Sequence, residues 1–174
     1  TSPIGQTMSM QRIALAMGGG GARSAYQAGV LLGIAQMYPE FRFPYLTGVS
    51  AGAINVSLLA SHTGGLGEQA DKLADLWLNL KIDNVFVADG LSLLCRLIRI
   101  GLQLTIGTPF GLGKVYGMVD TEPLRVFLHQ ALGSQDGTLP GIQKNIDAGH
   151  LKAVALTTLS FGTGKTITFY QGKC

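Results

Sequence analysis

Gly48-Val49-Ser50-Ala51-Gly52 places a serine at the centre of a glycine-flanked pentapeptide. A hydroxyl in this setting becomes a nucleophile when it sits on a sharp strand-to-helix turn that lifts it clear of a sheet. Such a turn needs glycine two residues before and two after, because the strand and helix backbones pass too closely for side chains. Ala51, Ala53 and Ser57 are small, which suits a helix packed tightly on a sheet. The start of that helix would also set N–H groups and the positive end of its dipole near the serine. Without a strand before it and a helix after it, the pentapeptide is only an ordinary turn.

Gly18-Gly19-Gly20-Gly21-Ala22-Arg23 is the second candidate. A glycine run exposes consecutive backbone N–H groups with no side chain in the way, and so forms a nest for an anion. The anion could be a phosphate, or the oxyanion of an acyl-transfer intermediate. Arg23 adds positive charge where the following helix begins. A dinucleotide-binding turn also opens with Gly19-x-Gly21, but its sixth position here is Ser24 rather than glycine. Glu40 alone stands near the distance expected of a ribose-binding acid, so that reading has little support.

A nucleophilic serine needs a base. His62, His129 and His150 are available, and Asp120 or Asp147 precedes His150 in the serine, acid, histidine order of the hydrolases. Ser50, however, follows only the second strand, whereas the ordinary α/β-hydrolase elbow lies deeper in its sheet. His129 falls on a helix and His150 at a turn before a strand, where structural roles suffice. Two Asp-Gly pairs are present, Asp89-Gly90-Leu91 and Asp136-Gly137-Thr138. The second reads as turn chemistry, and Asp120 as a helix cap. No metal ligands and no cofactor are assigned.

The elements that position these residues follow from periodicity. Arg12 to Met17 is a short apolar run, predicted to be a buried strand. A helical pattern runs from Ala22 to Tyr38 and stops at Pro39. Phe43 to Thr47 is predicted as a second strand, Gly48 to Gly52 as the turn, and Ala53 to Ser61 as a small-residue helix. Strand, helix, strand, helix implies parallel strands with crossover helices. Glu68 to Leu80 is amphipathic, with Leu73, Leu76, Trp77 and Leu80 on one face. Residues 107–117 hold four glycines and read as a loop. A helix is predicted from near Pro123 to Gly133. Leu151 to Leu159 and Thr166 to Gln171 are predicted strands, joined as a hairpin through Gly162-Thr163-Gly164. The predicted class is α/β, a mainly parallel sheet with helices on both faces.

Composition narrows the function. The chain has 174 residues, enough for one domain, and no linker or internal repeat divides it. Residues 1–10 read as a polar leader and 11–174 as part of one domain. Charged residues are only 13%, which argues against disordered tails and charge-laced coiled coils. A net charge of +3, scattered along the chain, excludes a nucleic-acid footprint. Cys95 and Cys174 cannot build a disulfide framework. No secretory signal and no membrane-spanning run is visible, so a cytoplasmic or peripheral-membrane location is expected, with secretion left open. Leu91 to Ile106 is the most apolar stretch. Ser92, Arg96, Arg99 and Gln103 form a polar stripe on it at helical spacing. It reads as a core helix with snorkelling arginines, or as a helix lying on a lipid surface.

The two glycine motifs together are more specific than either alone. Gly18-Gly-Gly-Gly-Ala-Arg23, followed by Tyr26, Gly29, Val30 and Leu31, and Gly48-Val-Ser-Ala-Gly-Ala-Ile-Asn55 resemble the patatin-like phospholipase family. The close likeness spans about Ile13 to Leu59. One departure is Ser24, where the family usually has glycine. The resemblance implies a lipid acyl hydrolase with a serine–aspartate dyad and no histidine. Ser50 would attack the ester carbonyl of a phospholipid or other lipid ester, while the amides of Gly19, Gly20 and Gly21 hold the oxyanion. Arg23, Gly48 and Gly52 would support these loops. The same serine would also serve an acyltransferase, and a protein that had lost its base would remain a lipid- or anion-binding module. The family's aspartate lies in Asp-Gly-Gly or Asp-Gly-Ala after the hairpin, and neither occurs in this sequence. The base is therefore expected in a segment downstream of these residues.

Overall fold

The computed structural model describes residues 13–80, 122–160 and 163–173. The chain divides into two compact units, Thr1–Asn79 with Ala131–Cys174, and Leu80–Gln130. The first unit holds a four-stranded sheet. Its strands are β1 (Ala14–Met17), β2 (Tyr45–Val49), β3 (Ala153–Leu159) and β4 (Thr166–Gly172), in the spatial order 1-2-3-4. β1 and β2 run parallel, as do β2 and β3, with Ala14 opposite Tyr45 and Tyr45 opposite Ala153. β4 returns antiparallel, with Gly172 opposite Ala153. The sheet is thus mainly parallel and the class α/β, as the alternating pattern implies. The hairpin between β3 and β4 also forms where it is expected.

A turn of 3-10 helix (Gly21–Ser24) follows the glycine run and leads into α1 (Ala25–Met37). α2 (Ala51–Ser61) and α3 (Leu66–Asn79) come after β2, and α5 (Pro140–Asp147) precedes β3. α2 is the hub. It is buried on nearly every side, from Ala51 and Gly52 through Asn55 to Ala60, because the sheet lies on one flank and α3 and α5 on others. A helix walled in this way must be apolar or small all round, which its sequence is. α3 shows the complementary pattern, a single stripe of Leu66, Ala70, Leu73 and Leu76. α1 meets α3 and buries Ala28, Leu31 and Ala35, three and four residues apart.

β2 alternates strictly. Leu46 and Gly48 are buried towards α2, while Tyr45, Thr47 and Val49 are exposed. Two successive parallel crossovers that step the same way across a sheet put their helices on one face, given the right-handed rule, so the expected helices of the other face are not among these crossovers. The opposite face is open at those three β2 residues. β1 is likewise half open, with Ala14 and Ala16 exposed, so it is not the fully buried strand its apolar run suggests.

Several boundaries move, among them the start of α1, at Ala25 rather than Ala22, and that of α2, at Ala51 rather than Ala53. β2 starts at Tyr45 rather than Phe43 and extends through Gly48 and Val49, since β3 pairs with it to that point. α3 opens at Leu66, two residues early. α5, with Pro140 in its first turn and Ile142 and Ile146 buried, has no counterpart in the predicted elements. In the second unit, α4 (Glu122–Ala131) matches the helix predicted near Pro123. Arg125 donates to both Glu122 carboxylate oxygens, at 2.8 and 2.7 Å. That hydrogen bond holds the Glu122 carboxyl below the usual glutamate range. Asp89, Asp120, the glycines of 107–117 and the apolar stretch 91–106 lie outside the described residues.

Candidate active site

The reversal from β2 into α2 is made by one residue. Val49 still pairs with β3, the Ser50 N–H donates to the Thr157 carbonyl at 3.0 Å, and Ala51 is already helical. Ser50 itself has φ 54 and ψ −123. A β-carbon is strained in this left-handed region, and such strain persists only where the surroundings enforce it. The turn is therefore tighter than the predicted Gly48–Gly52, with both glycines inside flanking elements. Their role is room. A β-carbon on Gly48 would lie 2.4 Å from the Gly52 carbonyl oxygen and 2.8 Å from the Ala53 Cα. One on Gly52 would lie 2.3 Å from the Met17 carbonyl oxygen and 2.5 Å from that of Gly18. The elbow thus brings α2 hard against both its own strand and the end of β1.

The end of β1 is where the glycine run begins. A β-carbon on Gly19 would sit 3.1 Å from the Ser50 Cβ and 3.8 Å from its Oγ, so the loop lies directly beside the serine. Ser50 and Gly18 to Gly21 are all exposed. Among the described residues, the N–H groups of Gly19 and Gly20 donate to no carbonyl. The Arg23 N–H closes the loop onto the Gly20 carbonyl at 3.2 Å, while the Arg23 side chain is exposed. The arrangement combines an exposed hydroxyl, adjacent unpaired amides and the N-terminus of α2. It can bind an anion formed on an atom attached to the serine.

The chain belongs to the patatin-like phospholipase family. The family model matches residues 15–160, most of the chain. No curated protein and no solved structure matches it. The lipid acyl hydrolases of this family thus supply the broad activity, and the match extends well beyond the two glycine motifs.

Among the described residues of the first unit, neither His62 nor His150 reaches this patatin-like elbow. His62 caps the far end of α2, about 18 Å along the helix from Ser50, and its Nδ1 accepts from the Gly64 N–H. His150 precedes β3, whose rise from Ala153 to Thr157 alone is about 13 Å, and Thr157 is the residue level with Ser50. Asp147 stands at the end of α5, 3.8 Å from Lys173. Asp136 and Gly137 both have positive φ in an exposed turn closed by Gln135 and Thr138, the turn chemistry read from the sequence.

Three residues that were given no role in the sequence, Asn55, Gln27 and Trp77, frame the site. Asn55, fully buried in α2, donates through Nδ2 to the Ser24 carbonyl at 3.1 Å and to Gln27 Oε1 at 2.8 Å. Its Oδ1 accepts from the Trp77 indole at 2.8 Å. Gln27 Nε2 donates to the Gly18 carbonyl at 2.9 Å. The local signal was Asn55 itself, the one amide among the small and apolar residues of α2 and the last residue of the elbow motif.

Proposed function

We propose that the chain is a lipid acyl hydrolase in which Ser50 is the nucleophile. The Ser50 Oγ attacks the ester carbonyl carbon, and the carbonyl oxygen becomes an oxyanion beside the glycine loop. The amides of Gly19 to Gly21 stabilise that charge, and collapse expels the alcohol or lysolipid. Water then releases the acyl group from Ser50. The observation that carries this reading is the left-handed Ser50 with the unpaired Gly19 amide at its side. The proton of Ser50 needs an acceptor, and no histidine or carboxylate hydrogen-bonds its hydroxyl among the described residues. We assign that role to an aspartate, as the family's dyad implies; neither Asp-Gly-Gly nor Asp-Gly-Ala occurs in residues 1–174. Contact with a lipid surface through residues 91–106 is part of the same proposal.

The test is covalent labelling. A fluorophosphonate probe, incubated long enough to offset a weak base, should modify Ser50, as read by peptide mass spectrometry. Ser50→Ala should lose the label and keep its circular dichroism. Label on a different serine, or none on a folded chain, would refute the assignment and leave a lipid- or anion-binding module.

A further inference from the structure

We infer that Gln27, oriented by Asn55 and Trp77, is a positioning residue that aims the Gly19 amide at Ser50; the inference rests on the Ser50 reading above. The indole sets the orientation of the whole line. A Trp N–H can only donate, so the 2.8 Å contact from Trp77 Nε1 must meet the oxygen of Asn55 and not its NH₂. That fixes the Asn55 amide, and its NH₂ then points to the Ser24 carbonyl and to Gln27 at 2.8 Å. Gln27 must answer a donor with its own oxygen, which turns its NH₂ to the Gly18 carbonyl at 2.9 Å. Each amide in the line therefore has one allowed orientation, set by a donor-only group on α3.

The last link does the positioning. A trans peptide is planar, with its C=O and N–H pointing in opposite directions. Pinning the Gly18 carbonyl to Gln27 therefore fixes the direction of the Gly19 N–H. Glycine flanked by glycine has no side chain to resist a peptide flip, so an external anchor is what the loop needs. Asn55 meanwhile holds the Ser24 carbonyl, four residues beyond Gly20, so both ends of the loop are tied to one residue. That residue stands five positions after Ser50 on α2. Nucleophile and amide are thus referred to one rigid element, which is what a preorganised oxyanion site requires.

Gln27→Glu isolates the claim. A carboxylate still accepts from Asn55 but cannot donate to the Gly18 carbonyl. In the full chain, kcat for a soluble ester should fall roughly 10- to 100-fold, short of the full loss of an oxyanion donor, with KM changed less than about twofold. The Gly19 amide resonance should shift and its hydrogen exchange should quicken, while the Gly33 amide, six residues beyond Gln27 on α1, stays unchanged. Gln27→Met serves the same purpose if Gln27→Glu does not fold. An unaltered Gly19 amide in a folded variant overturns the inference, whatever the activity. Wild-type kcat in a variant whose wild-type parent is labelled at Ser50 overturns it too. A parent that is not labelled refutes the Ser50 reading instead, and the Gly19 amide then still decides the role of Gln27.

Discussion

A single methyl group added at Gly52 would have nowhere to go. The atoms it meets are the Met17 and Gly18 carbonyls, backbone groups that cannot swing aside as a side chain would. Gly52→Ala is expected to cost about 3 kcal/mol, the upper end of overpacking, read from the urea midpoint. Gly29→Ala is its control. A β-carbon there meets nothing within 4 Å, and the position is in the body of α1. It should gain about 0.5–1 kcal/mol from helix propensity. Together the pair separates glycines kept for close approach from those that are merely present. Ser24 makes the opposite point. It is 2% exposed, and its hydroxyl has no hydrogen-bond partner among the described residues. A buried hydroxyl without a partner gains nothing for its desolvation. Only the Ser24 carbonyl is used, by Asn55. Ser24→Ala should therefore leave the loop intact and raise stability by up to about 1 kcal/mol, measured by thermal unfolding.

At the scale of elements, α2 has two specialised ends. Its N-terminus carries Ser50, and its C-terminus is closed by side chains from elsewhere in the chain. Asn145 of α5 donates to the Ala60 and His62 carbonyls at 2.8 and 2.9 Å. Gln69 of α3 donates to those of Leu59 and His62, and Arg42 to that of Thr63. The last carbonyls of a helix have no partner within it, so a buried helix end needs such donors. Asn145→Ala should cost about 1–3 kcal/mol in chemical unfolding without changing the rate of Ser50 labelling in the folded protein. An equal loss of labelling would mean that the far end of α2 also sets the elbow. What the sequence made legible follows the same division. Strands and helices with their own periodicity were readable, and so was the elbow, because Gly48, Ser50 and Gly52 carry local information. α5 was not, being eight residues whose two isoleucines are buried where the helix packs on α2. Trp77 was readable as an apolar residue, not as the donor that orients Asn55. Such pairings join residues 22 to 85 positions apart, and no local pattern encodes them.

For the whole molecule the open quantity is the base. The patatin-like match accounts for residues 15–160, and the elbow and glycine loop are both in place. Among the described residues no imidazole or carboxylate is hydrogen-bonded to Ser50. A positioned base is worth about 10²–10⁴-fold in rate, so residues 1–174 alone should turn over esters slowly. A site with the proposed nucleophile and oxyanion loop, both exposed, and with no base against them among the described residues has a specific signature, which is rescue by a base supplied from solution. Imidazole or formate should raise the rate of p-nitrophenyl butyrate hydrolysis above the buffer reaction, with a slope that Ser50→Ala abolishes. Small carboxylates lack the desolvated, fixed geometry of a built dyad, so the rescue should be partial. A rate that is already high and indifferent to added base would contradict this. The acceptor would then be within the chain, and Asp83, Asp89 and Asp120, which lie outside the described residues, would be the carboxylates to replace one at a time. Asparagine at the true base should lower the rate without added formate and restore its dependence on formate. Asparagine at a mere cap or turn residue should change stability alone.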